Sequence, residues 1–176
     1  MNKLGMILLS CIFAAAPANA QFGIYGQYNG THDSSVPAWY KGGTGGAYAN
    51  LIGFGPAHLG MDLRATYSSG DQYNYRSFLI GPRLEVKPPL IPLRPYVQGS
   101  IGIGGNRYVG TPSLQQHFNN KLQYGVGGGL DFTLFPLFDL RLIDIQYLRM
   151  SAVTSGQLAP PTNLFTIGAG LVLRLP

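Results

Sequence analysis

From Leu122 to Phe135 the apolar residues Tyr124, Val126, Leu130, Phe132 and Leu134 occupy even positions, while odd positions carry Gln123, glycines, Asp131 and Thr133. A period of two is that of a strand with unlike faces. The pattern recurs. In Asn163–Leu175 the apolar face is Phe165, Ile167, Ala169, Leu171, Leu173 and Leu175, against Thr166, Gly168, Gly170, Val172 and Arg174. In His58–Tyr67 it is Leu59, Met61, Leu63, Ala65 and Tyr67, opposite Gly60, Asp62, Arg64 and Thr66. In Tyr75–Lys87, Phe78, Ile80, Pro82, Leu84 and Val86 lie opposite Ser77, Gly81, Arg83, Glu85 and Lys87. Together with Phe22–Asn29, Thr44–Ile52, Leu93–Gly104 and Phe138–Met150, these segments predict eight strands, an all-β chain with no amphipathic helix after Ala20.

The connections alternate in length. Gly53-Phe54-Gly55-Pro56, Pro88–Pro92 and the Pro136 turn are short and rich in glycine or proline, as tight turns require. The stretches Gly30–Gly43, Ser68–Asn74, Gly105–Lys121 and Ser151–Thr162 are polar, and three of the four exceed ten residues. An even number of strands with short turns at one end and longer loops at the other is the plan of a transmembrane barrel. Such a barrel must close, because unpaired backbone groups cannot be left in hydrocarbon. The expected fold is therefore an eight-stranded antiparallel up-and-down transmembrane β-barrel. Strand seven breaks phase, since Asp139 and Arg141 are odd while Asp144 and Gln146 are even. A β-bulge near Leu142–Ile143 would keep Asp144 out of lipid.

The N-terminus fits export. Lys3, the apolar run Leu4–Ala16 and Ala18-Asn19-Ala20 read as a signal peptide with its cleavage site, leaving residues 21–176 as the barrel domain. Lipoprotein processing at Cys11 is the rival, although Cys11 lies inside the apolar run. As Cys11 is the one cysteine, a mature chain starting at Gln21 has no disulfide or thiolate site. Charged residues make up only 11 % of the chain and glycine fills 25 positions, whereas soluble domains average roughly a quarter charged. The net charge of +5 is scattered, with no basic stripe for nucleic acid.

Several segments together resemble a known family: Ala18-Asn19-Ala20, Leu79-Ile80-Gly81-Pro82-Arg83-Leu84, Arg94-Pro95-Tyr96-Val97, Leu140–Leu148, and the closing Gly168–Arg174. With these the chain resembles the small eight-stranded outer-membrane barrels of the OmpA and OmpX kind and the outer-membrane β-barrel domain family. The resemblance implies a bacterial outer-membrane location, outer-membrane lipid and lipopolysaccharide as surroundings, and the barrel-assembly machinery as partner during biogenesis. One departure is the end, Leu175-Pro176, where the family's assembly signal usually closes on an aromatic residue.

Inside the barrel, counting from the Pro136 turn sets Asp131 opposite Arg141, and the Leu90 turn brings Glu85 close to Arg94. Asp62, Arg64, Arg83 and Arg174 complete an expected network of lumen ion pairs that fills and neutralises the interior. An eight-stranded barrel is just wide enough for side chains to fill. The glycine runs Gly102–Gly105 and Gly127–Gly129 lack the Lys-Ser/Thr of a phosphate loop and are read as wall glycines. His32, His58 and His117 are scattered, so no metal site and no cofactor is expected. Ser113 near His117 is the one catalytic candidate, and the chain is read as a non-enzyme. Tyr67, Tyr73, Tyr75, Tyr108, Tyr124 and Tyr147 at the loop end, with Phe22, Phe54, Tyr96, Phe132, Phe135 and Phe138 at the turn end, are expected as two interfacial belts. The leading function is structural or surface-interacting, with ligands reached through loops 30–43, 105–121 and 151–162. Alternatives are a narrow or gated pore, a soluble periplasmic lipid-binding barrel and a lipid-modifying enzyme.

Overall fold

The structure, a computed structural model, describes residues 21–35, 39–71, 73–109, 120–151 and 162–175. Eight strands follow in chain order: β1 (Gln21–Asp33), β2 (Trp39–Phe54), β3 (Ala57–Ser69), β4 (Tyr73–Val86), β5 (Leu93–Tyr108), β6 (Lys121–Phe135), β7 (Phe138–Met150) and β8 (Thr162–Leu175). Each pairs antiparallel with its neighbour, and β8 closes on β1 from Phe22↔Leu175 to Asp33↔Leu164. Closure removes every free edge, so the backbone satisfies its own hydrogen bonds without water.

All eight expected strands are present, but most run further toward the loop end than hydropathy suggests. The stretch 30–43 is mostly strand. Gly30↔Lys41, Thr31↔Tyr40 and His32↔Trp39 continue the β1–β2 ladder, and only residues 34–38 connect the two strands. Two of the four loop-end connections therefore exceed ten residues, not three. The reason is length: strands of 13 to 16 residues outrun the roughly 9–11 that a tilted strand needs to cross hydrocarbon. Their outer ends turn polar without losing backbone pairing. Residues 110–119 and 152–161, with the candidates Ser113 and His117, lie outside the described residues. At the other end, Gly55-Pro56 and Pro136-Leu137 are two-residue connections. Gly55 adopts φ +62°, a left-handed conformation that only glycine enters freely.

The faces follow parity. On β6, Tyr124, Val126 and Leu134 are exposed while Gln123 and Asp131 are buried; on β8, Phe165, Ile167 and Leu171 are exposed while Leu164 and Thr166 are buried. Exposed aliphatic and aromatic side chains form the outer wall, and most buried side chains are polar. A soluble barrel holding a lipid inside would need the opposite polarity, so that alternative fails. On β7 the register shifts between Arg141 and Asp144. The extra residue at Leu142–Ile143 is the expected bulge, and Asp139, Arg141, Asp144 and Gln146 are all buried inside.

Room for large inward residues comes from inward glycines. A Cβ at Gly23 would run into the Tyr48 ring, and one at Gly46 into the Tyr25 ring. Large and small inward positions alternate around the wall, as a narrow barrel requires. These two inward glycines thus make space for the tyrosine rings.

Candidate functional site

The barrel interior and its outer rim hold the chemistry of this chain. At the turn end, the strands deliver Glu85 near the close of β4, Arg94 near the start of β5, Asp139 near the start of β7 and Arg174 near the close of β8. Arg94 Nη1 lies 2.8 Å from Asp139 Oδ2, Arg94 Nη2 lies 3.0 Å from Glu85 Oε1, and Arg174 Nη2 lies 2.9 Å from Asp139 Oδ1. Lys87 approaches Glu85 at 3.7 Å. Burial pushes the Lys87 ammonium down to about 8; Glu85 opposes this, and the Arg94 and Arg174 charges add to it.

Mid-barrel, Arg83 reaches Glu85 and Asp131, each at 3.2 Å, and Asp62 at 3.8 Å. Arg64 sits between Asp62 at 3.2 Å and Asp144 at 3.1 Å. Arg141 holds Asp131 at 2.8 Å and Asp144 at 3.7 Å. Three tyrosines interleave with these charges. The Arg83 guanidinium lies 4.1 Å from the Tyr48 ring centroid and 3.7 Å from that of Tyr96. Arg141 lies 4.1 Å from the Tyr25 centroid. Guanidinium over an aromatic face is a favourable electrostatic contact that strengthens with desolvation. The Tyr25 hydroxyl donates to Asp62 at 2.9 Å, and the Tyr96 hydroxyl donates to Asp144.

Above this layer runs a neutral polar one. Asn29 donates to Thr44 at 2.5 Å, Thr44 and Thr66 share a bond of 2.7 Å, and Ser68 donates to Asn29 at 2.9 Å. Tyr75 donates to Gln123 at 3.0 Å. Nearest the loops, Tyr40, Tyr75, Leu79, Leu148, Met150 and Leu164 form a buried apolar cluster inside the barrel. The interior is therefore layered, with the ion pairs at the turn end and mid-barrel and the apolar cluster at the loop end, where buried Asp33 accepts from Asn106 at 2.8 Å and from Ser35.

The structure brings the eight singled-out residues, Asp62, Arg64, Arg83, Glu85, Arg94, Asp131, Arg141 and Arg174, into one set of contacts. Asp139, Asp144, Tyr25, Tyr48 and Tyr96 belong to the same set and were not among them. Parity alone could have found the tyrosines: Tyr25 alternates with Gly23 and Gln27, Tyr48 with Gly46 and Asn50, Tyr96 with Arg94 and Gln98. Tyr75 and Tyr96 are accordingly not belt residues. Both are buried inside, because their parity is that of the lumen face. Tyr67, Tyr124 and Tyr147 are exposed on the outer wall, with Phe54, Phe135 and Phe138 at the other end. At the loop-end rim Trp39 meets His32 at a tilt and Phe165 edge to face, centroids 5.3 and 6.4 Å away. His58 lies at the opposite end, where β3 begins.

A closed, up-and-down eight-stranded barrel with an apolar outside and a charged inside is a membrane β-barrel. The outer membrane protein β-barrel domain model matches residues 4–172, so the chain belongs to that family of outer-membrane proteins. No curated protein sequence matches the chain. Among solved structures it is similar to Neisserial surface protein A (13 % identity, 88 % of this chain and 96 % of that one, TM-score 0.56). It is also similar to Ail, the attachment invasion locus protein of Yersinia pestis, solved with the heparin analogue sucrose octasulfate (14 %, 89 % and 97 %, 0.54). A third is a major outer membrane protein of Thermus thermophilus (14 %, 89 % and 100 %, 0.54). At these identities the likeness is one of fold.

Proposed function

We propose that this protein is an exported surface-interaction scaffold of a bacterial outer membrane, with residues 1–20 serving as a cleaved signal peptide. Its barrel is a filled plug and its loop-end rim makes the contacts. The observation that carries this reading is the interior. The carboxylates Asp62, Glu85, Asp131, Asp139 and Asp144 interlock with the guanidiniums of Arg64, Arg83, Arg94, Arg141 and Arg174. A solute path would have to part these ions in a low-dielectric interior, where leaving a charge unpaired costs several kcal/mol. It would also have to part the apolar cluster above them.

The rim supports a role in recognising anions. Lys41, Arg76, Arg107 and Arg149 all sit on the outward parity of their strands near the loop end; Arg76 and Arg149 are register partners of the exposed Tyr67 and Tyr124, and Lys41 lies two residues along β2 from Trp39. That is the level of the lipid headgroups, where aromatic girdles sit, and cations there suit phosphorylated glycolipids such as lipopolysaccharide, or sulfated polysaccharides. Ail, of similar fold, was solved with a sulfated heparin analogue. Planar-bilayer recording separates the scaffold from the gated pore. The scaffold predicts a silent bilayer; a reproducible conductance that changes in Asp131→Asn would establish the pore instead.

A further inference from the structure

Gln21 opens β1 at the turn end of the barrel, paired to Asn50 of β2. Its side-chain amide oxygen accepts hydrogen bonds from Lys87 Nζ and, at 3.1 Å, from Arg94 Nη2. Two cationic donors on one amide oxygen polarise its carbonyl and stabilise the negative charge that grows there when the carbon is attacked. The surrounding mouth is already rich in cations, with Lys87, Arg94 and Arg174 facing Glu85 and Asp139. A free α-ammonium at Gln21 would add one more. Like charges in such a site disfavour the protonated amine and leave it as the nucleophile.

We propose that Gln21 is a modification site, cyclising to an N-terminal 5-oxoproline with Lys87 and Arg94 as the groups that promote the reaction. The inference rests on the reading that the leader is cleaved after Ala20. The unprotonated α-nitrogen attacks the side-chain carbonyl carbon Cδ, forming the N–Cδ bond. The Cδ–Nε2 bond breaks, and Nε2 takes one proton from the attacking nitrogen and leaves as ammonia. No oxidant or other reactant is consumed. The former Oε1 survives as the lactam oxygen, so Lys87 and Arg94 keep an acceptor while the mouth loses a basic group.

The experiment uses two samples: mature protein extracted from membranes, and a leaderless chain beginning at Gln21 and refolded in detergent. The N-terminal peptide of the membrane protein should lack the mass of one ammonia. In the refolded chain, cyclisation followed by mass spectrometry should be faster in the barrel than in urea, and Lys87→Met should slow it about a hundredfold, the lower end for loss of one oxyanion donor. An open Gln21 in the membrane protein, or equal rates in barrel and urea, overturns the proposal. A membrane protein whose first residue is not Gln21 overturns the cleavage reading, and the refolded chain still decides the chemistry.

Discussion

Arg141 grips Asp131 across the β6–β7 hairpin with two hydrogen bonds, Nε to Oδ1 at 2.8 Å and Nη2 to Oδ2 at 3.1 Å. The two residues are register partners, and both side chains are buried inside the barrel. Asp131 also receives Arg83 at 3.2 Å, so one carboxylate serves two guanidiniums. Replacing it leaves Arg83 with Glu85 and Asp62 and Arg141 with Asp144 at 3.7 Å, in an interior that has lost one buried negative charge. Asp131→Ala should destabilise the barrel by about 3–5 kcal/mol, the cost of leaving buried partners uncompensated. A double change to Asp131→Leu with Arg141→Met should recover a large part of that loss. Urea unfolding in lipid vesicles, read by tryptophan fluorescence, measures both.

The β7 bulge sets the inward address of every residue after it. Deleting Ile143 removes the extra residue and restores strict alternation, Arg141 inward, Leu142 outward and Asp144 inward, so Asp144, Gln146, Leu148 and Met150 keep their faces and the Arg64 and Tyr96 contacts can be retained. Deleting Ile145, past the bulge, instead turns Gln146, Leu148 and Met150 outward, since a one-residue slip reverses all later side chains. The expected outcome is a heat-modifiable folded band on a gel for the Ile143 deletion and its loss for the Ile145 deletion. A one-residue deletion in the 152–161 segment should leave that band intact.

Space for Tyr25 depends on Gly46, where a Cβ would strike the ring. Gly46→Val should cost about 1–3 kcal/mol by overpacking. It should also weaken the contacts Tyr25 makes with Asp62 and Arg141. Gly26, whose Cβ position is open, is the control, and Gly26→Val should stay within about 0.5 kcal/mol, the usual range for changes that touch no such feature.

Lys87 should titrate near pH 8. Its folded pKa lies below the ordinary lysine value of 10.5, so between about 8 and 10.5 the unfolded chain holds more protons and stability rises with pH. Below 8 both states are protonated and the penalty is constant. Acylation of Lys87 in the folded protein, followed by peptide mass mapping, should show a half-point near 8, and Lys87→Met should flatten the stability profile across that window.

Much of this barrel is legible from alternation, because in a membrane wall one face must be apolar along its whole length and period two is then visible even through glycine. The same rule hides the outer strand ends. Past the hydrocarbon, Thr31, Lys41 and Asn106 carry no apolar alternation although their backbones stay in the sheet. Within the interior, charge pairs close to a hairpin can be counted from the turn, as with Asp131 and Arg141. Contacts between strands far apart in sequence cannot. Arg64 with Asp144, or Arg94 with Asp139, meet only because the barrel closes. Tyr96 illustrates a different failure: its nearness to a strand end suggested the headgroup belt, while its parity, shared with Arg94 and Gln98, decides the outcome.

The central claim is that the barrel stands in a membrane with the even residues of β6 toward lipid and the odd residues inward. The only cysteine of the sequence is Cys11, which precedes β1, so single cysteines can be placed in a chain beginning at Gln21 without background. Val126→Cys and Gln123→Cys, each carrying a fluorophore or spin label and reconstituted in vesicles, test it with lipid-borne quenchers. Strong quenching at 126 and weak quenching at 123 is the predicted result; equal quenching at both, or the reverse, would contradict it.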